Sequence, residues 1–105
     1  MAWLSLVLGG LFEIGWPIGL KNGWTATGLR PGWLIFAALC MMISGGLLLY
    51  AQRFIPIGTA YAVWTGIGAV GTFLVGVWLY GDAMSVLRLT SVVLIVAGIA
   101  GLKFG

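Results

Sequence analysis

The sequence predicts an all-α membrane protein with four transmembrane helices per chain. Three observations carry that reading. Hydrophobic residues fill 62% of the 105 positions and charged residues only 7%, where a soluble domain carries about 25% charge. A chain this apolar needs lipid as its solvent. Four apolar runs are each long enough to cross a hydrocarbon core about 30 Å thick, which takes roughly 20 residues in helix. The segments between the runs are short and hold Lys21, Arg30, Arg53 and Asp82.

The spans are expected at about 2–20, 33–51, 57–80 and 84–102, all within one domain covering 1–105. The first is interrupted only by Glu13. The third lies in an uncharged stretch, 54–81, and the fourth carries Arg88 near its start as a snorkelling or interfacial cation. The first gap, 21–32, contains Asn22, Thr25, Thr27 and Arg30-Pro31. Gln52-Arg53 to Pro56 and Gly81-Asp82 read as tight turns, with Asp82 solvated. Trp3, Trp24, Trp33, Tyr50, Trp78 and Tyr80 fall near span ends, as an interfacial aromatic belt requires. The N-terminus lacks a basic region and carries Glu13 where a signal peptide is apolar, so a retained span is expected.

Composition removes several function classes. The chain has no histidine and a single cysteine, Cys40, inside an apolar run. A His/Cys metal cluster and an internal disulfide are excluded, and Cys40 is expected to face lipid or to be packed. The five cations are scattered singly, which is not a nucleic-acid footprint. Gly66-Ile67-Gly68-Ala69-Val70-Gly71 spells G-x-G-x-x-G, but a dinucleotide fingerprint needs a strand before it and a βαβ unit around it. Here small residues within a span suit close packing and local bending. Neither enzymatic chemistry nor a cofactor is expected.

Loop charge bears on topology. The N-terminus, second loop and C-terminus share one side with Arg53 and Lys103. The first and third loops share the other with Lys21, Arg30 and Arg88. Two cations against three leave the positive-inside rule almost nothing to act on. The alternative is a weak bias that still chooses one orientation; the expectation is dual topology, with the chain inserted in both orientations. Two copies then pair antiparallel, and the homodimer supplies the interior that one short bundle lacks. It also brings together two Glu13 side chains, which would titrate as a coupled pair.

Glu13 is the candidate site. A carboxylate at mid-span costs about 2.5–3.5 kcal/mol on insertion scales and persists where it faces protein or a water-filled cavity. Such a carboxyl can exchange a proton with water, or bind a cation in the proton's place. The plainer alternative is interhelical hydrogen-bond glue. Gly9 and Gly10 precede it on the same helix face, and Trp16 and Pro17 follow one turn on. Trp16 offers one ring N–H, and Pro17 removes one backbone bond. On the third span Tyr61, Trp64, Thr65 and Gly68 form one stripe whose polar tips need partners in lipid. A carboxylate on a neighbouring helix would supply one. Ser44 is a weaker candidate. Gly15 and Gly19 form a G-x-x-x-G. Ser91 with Gly98, and Ala97 with Gly101, have spacings that suit helix–helix contact on the fourth span.

Two stretches together carry a family resemblance: Gly10-Leu-Phe-Glu13-Ile-Gly-Trp16-Pro-Ile-Gly-Leu-Lys21 and Pro56-Ile-Gly-Thr-Ala-Tyr61-Ala-Val-Trp64-Thr-Gly-Ile-Gly68. The chain resembles the small multidrug resistance family, and within it the guanidinium-exporter branch, over essentially its whole length. The resemblance implies an antiparallel, dual-topology homodimer in the bacterial inner membrane. That dimer would export guanidinium and small substituted guanidinyl cations in exchange for protons. It implies Glu13 as the shared site for cation and proton, with Trp16, Ser44 and Trp64 as hydrogen-bonding support and Gly10 and Tyr61 at the cavity. It also implies Gly66 to Gly68 as a flexible point and the fourth helix, with Ser91 and Gly98, as dimer packing. Pro17 stands where the branch commonly has Ala, and Ser91 where multidrug members often have Gly. Two other readings share the fold: an exporter of quaternary ammonium and aromatic cations, and a non-transporting subunit of a membrane heterodimer.

Overall fold

The computed structural model describes residues 1–105. Four helices dominate: α1 (Ala2–Gly23), α2 (Pro31–Ala51), α3 (Ile57–Tyr80) and α4 (Val86–Phe104). All four are long and apolar enough to cross a membrane. The helix ends have local causes. Lys21 and Asn22 continue α1 past the apolar run, and Lys21 sits in the last turn, where a cation complements the helix dipole. Pro31 opens α2 at a first-turn position that needs no backbone donor. Ser85 is extended and its hydroxyl accepts from the Arg88 N–H at 3.1 Å, so α4 begins at Val86 and not at 84. The first gap holds structure that its composition did not suggest: a small antiparallel hairpin pairs Trp24 with Leu29 and Thr25 with Gly28.

The molecule is a thin slab, 47 × 35 × 17 Å. α1 lies against α2 along most of its length and against α3 on another face, while α4 packs mainly on α3. The α1–α2 seam is close because α1 presents glycines there. A Cβ added at Gly15 would stand 2.6 Å from the Cys40 sulfur, and one at Gly19 would stand 2.8 Å from the Ala37 Cβ. Cys40 is therefore packed in the seam, not turned to lipid. Serines tie the same pair of helices together: Ser5 donates to the Leu47 carbonyl at 2.8 Å, and Ser44 to the Gly9 carbonyl at 2.7 Å. Both bonds satisfy serine hydroxyls where no water is at hand. An apolar cluster of Leu6, Ala51, Ile55, Ala60 and Val63 closes the end where α1 begins and α3 starts.

Candidate functional site

Glu13 sits midway along α1, facing α3. Its side chain stem lies directly on Gly68, where any larger residue would collide with it. Trp16, one turn on, donates its ring N–H to Glu13 Oε1. Glu13 Oε2 is buried and has no hydrogen-bond partner. In a low-dielectric setting an acceptor without a donor is costly, so this oxygen is suited to a proton, a water or a donor-rich ligand.

The carboxylate opens on a cavity of about 580 Å³, lined on α1 by Glu13, Trp16 and Pro17. The α3 wall is the stripe read in the sequence, Tyr61, Trp64, Thr65 and Gly68, continued by Ala69, Thr72 and Phe73. These positions repeat at three and four residues, so one face of a straight helix carries them all. Thr72 was missed by the sequence reading, although one further turn of the same count reaches it.

Glu13, Trp16, Tyr61, Trp64 and Gly68 thus meet at one cavity. Ser44 does not line it. The residue is only 1% exposed, and its hydroxyl stands behind Trp64, accepting that ring's N–H at 2.8 Å while donating to the Gly9 carbonyl. The partner of the Trp64 tip is therefore this serine and not the Glu13 carboxylate, and the chain Trp64–Ser44–Gly9 locks three helices together. Tyr61 is half exposed and leans on Trp64, with ring centroids 5.5 Å apart. Gly10 faces Ile67, 2.7 Å from where its Cβ would be. Gly66 points the other way, toward Ile99 of α4. α3 runs unbroken through Gly66 and Gly68. Ser91 and Gly98 lie on the exposed surface of α4, away from the cavity.

The sequence predicts Asp82 as a solvated turn residue. It is exposed, yet it lines the Glu13 cavity. Gly81 adopts the left-handed conformation (φ 66°) and ends α3, and the Asp82 N–H returns to the Gly76 carbonyl at 3.1 Å. That turn folds the carboxylate back over Gly76, where there is no side chain to exclude it. A smaller cavity of about 190 Å³ adjoins the first, sharing Pro17, Thr72 and Asp82 and adding Lys21 and Tyr80. Here the ends of α1 and α3 are tied. The Tyr80 hydroxyl donates to Asn22 Oδ1 at 2.9 Å, and the Lys21 ammonium stands 5.0 Å from the Tyr80 ring centre.

Four membrane-length helices, two of which enclose a cavity with one intramembrane carboxylate, define a multi-pass membrane transport protein. Comparison with known proteins gives the family. The Small Multidrug Resistance protein family model matches residues 1–95, and the chain belongs to that family. Similar proteins include the "Guanidinium exporter" of Citrobacter freundii, 50% identical over 103 residues, covering 98% of this chain and 96% of that protein. The "Guanidinium exporter" of Yersinia pestis is also 50% identical, covering 98% and 97%. That of Proteus vulgaris is 47% identical over the same shares.

Proposed function

We propose that the chain is a proton-coupled antiporter that exports guanidinium and small substituted guanidinyl cations across the bacterial inner membrane. It works as an antiparallel, dual-topology homodimer. The observation that carries this reading is the Glu13 carboxylate: one oxygen held by Trp16, the other buried without a partner, both at a cavity. The names of the relatives support the substrate.

Guanidinium is planar and offers paired N–H donors, which a carboxylate accepts in a bidentate, charge-assisted geometry. Trp16 fixes Oε1, so the cation meets an oriented acceptor. The rings of Trp16, Tyr61 and Trp64 line the same cavity and add cation–π attraction of about 0.5–2 kcal/mol. Protonated Glu13 loses the charge that holds the cation, so proton and guanidinium exclude one another at each carboxyl. Exchange follows when each occupant, but not the empty site, lets the cavity change the side it opens to. Trp64, Ser44 and Gly9 brace the α1–α3 wall during that change. Gly66 and Gly68 supply the flexible point of α3. Ser91 and Gly98 lie in the α4 contact between copies.

The test is purified protein in liposomes with a pH gradient and labelled guanidinium. Uptake driven by outward proton flow, and lost in Glu13→Gln, is the expected result. Undiminished uptake by Glu13→Gln overturns the reading. Strong gradient-driven uptake of a quaternary ammonium with none of guanidinium overturns the substrate assignment alone.

A further inference from the structure

Pro17 stands four residues after Glu13 within a continuous helix. In an α-helix the N–H of a residue donates to the carbonyl four positions earlier. Proline has no N–H, so the backbone carbonyl of Glu13 lacks its helical donor. None of the protein's side-chain donors reaches that carbonyl either: Ser5, Ser44, Trp16, Trp64 and Tyr80 all bond elsewhere. A helical carbonyl points along the axis toward the residue four ahead. Here that residue is Pro17, which forms part of the wall of the Glu13 cavity. Beside the buried, unpartnered Oε2, Glu13 thus has a main-chain oxygen that loses its donor four residues on and points toward the Pro17 part of the cavity wall. A backbone carbonyl within a membrane-spanning helix needs a donor, so this one is suited to a donor that arrives with the ligand.

We infer that Pro17 is a specificity-determining residue: by freeing the Glu13 carbonyl, it adds a main-chain acceptor to the cation site. The inference rests on the guanidinium reading above and deepens it. Guanidinium carries N–H groups on three nitrogens, so two of them can engage the carboxylate while the third reaches a carbonyl. A quaternary ammonium has no N–H and leaves both acceptors stranded, which is the stronger ground for rejecting it.

Glu13 is the only glutamate in the chain, and that makes the test direct. The protein is made cell-free with glutamate 13C-labelled at the backbone carbonyl carbon or, in a second sample, at the side-chain carboxyl carbon. Each sample is reconstituted in lipid with 15N-guanidinium, and 13C–15N dipolar dephasing is measured by solid-state NMR. The expected result is dephasing at both carbons. In Pro17→Ala the new N–H at position 17 competes for the carbonyl. Backbone dephasing is then lost, carboxyl dephasing stays, and guanidinium affinity falls about three- to tenfold, as for one net hydrogen bond. Tetramethylammonium affinity is unchanged, which a general distortion of the helix would not give. Dephasing at the carboxyl carbon alone in the unaltered protein overturns the inference and leaves the guanidinium reading standing. Dephasing at neither carbon overturns both.

Discussion

α1, α2 and α3 satisfy one another; α4 satisfies itself. In the first three helices the hydroxyls of Ser5 and Ser44 and the ring N–H of Trp64 all bond across to another helix. Glycines 10, 15 and 19 sit where no side chain fits. On α4, Thr90 and Ser91 turn their hydroxyls back to the Val86 and Leu87 carbonyls of the same helix, at 2.7 and 2.8 Å. No α4 residue is buried, and Gly98 and Gly101 face open space. The two arrangements answer different solvents. Three helices build a site whose hydroxyls and Trp64 ring N–H are fixed by neighbours and whose one unpartnered buried side-chain atom is Glu13 Oε2. The fourth offers an apolar surface with its polar atoms already paired, which suits lipid or a second copy.

The largest effect belongs to the packed region. Glu13→Gln removes the charge but keeps the shape and the Trp16 contact. Transport should fall at least about 100-fold, as expected when an interaction with a charge is lost in a low-dielectric site, while helicity by circular dichroism stays intact. Next come paired glycine substitutions. Gly19→Leu forces a side chain into a space where even a Cβ stands 2.8 Å from Ala37. Overpacking of that kind costs about 1–3 kcal/mol or more, so thermal stability in detergent should drop clearly. Gly98→Leu meets nothing within its own chain. It should leave the stability of a single copy unchanged and reduce crosslinking between copies. Equal destabilisation by both, with crosslinking unaltered, would break the comparison.

Serines give the middle of the scale. Ser44→Ala strands the Trp64 N–H, at about 1–3 kcal/mol for a buried unsatisfied group, and removes the tie to the Gly9 carbonyl, which keeps its own helical donor. Because the Trp64 ring is part of the cavity wall, guanidinium KM should rise several-fold as well. Ser91→Ala removes only a bond within its own exposed helix and should shift stability by less than about 0.5 kcal/mol. Melting curves of the two variants side by side decide the point.

Much of this was legible in the sequence because lipid imposes a simple rule. Glu13 stands out as one charge in an apolar run, and the stripe from Tyr61 to Gly68 follows from helical spacing alone. What sequence could not supply is which surfaces meet. Gly15 and Gly19 announce a close contact, but nothing in their spacing names Cys40 and Ala37 as the partners. Ser44 could have bonded its own helix, as Ser91 does. It bonds Gly9 because a glycine there lets the two backbones approach. Asp82 is the clearest case. Its place at the cavity depends jointly on the left-handed turn at Gly81 and the missing side chain at Gly76, two facts five residues apart that act on a third. The hairpin at 24–29 was likewise hidden, since it pairs only two residues on each side.

The smallest effect tests how α1 and α3 are held at their far end. Tyr80→Phe deletes the hydroxyl that donates to Asn22 at 2.9 Å but leaves the ring beneath Lys21, 5.0 Å away. The bond is only partly buried, so its net worth lies at the low end of about 0.5–1.5 kcal/mol. Transport should change less than about threefold, because the cation–π contact still joins the ends of α1 and α3. Tyr80→Leu removes both contacts and should cost distinctly more, both in melting temperature and in transport rate. The matching substitution at the other end, Trp3→Leu, removes the ring that stands 5.4 Å from Lys103 and links α4 to α1. If the site depends on the α1–α3 tie and not on α4, Tyr80→Leu will slow exchange and Trp3→Leu will not. The reverse order would mean that α4 governs the cavity from outside it.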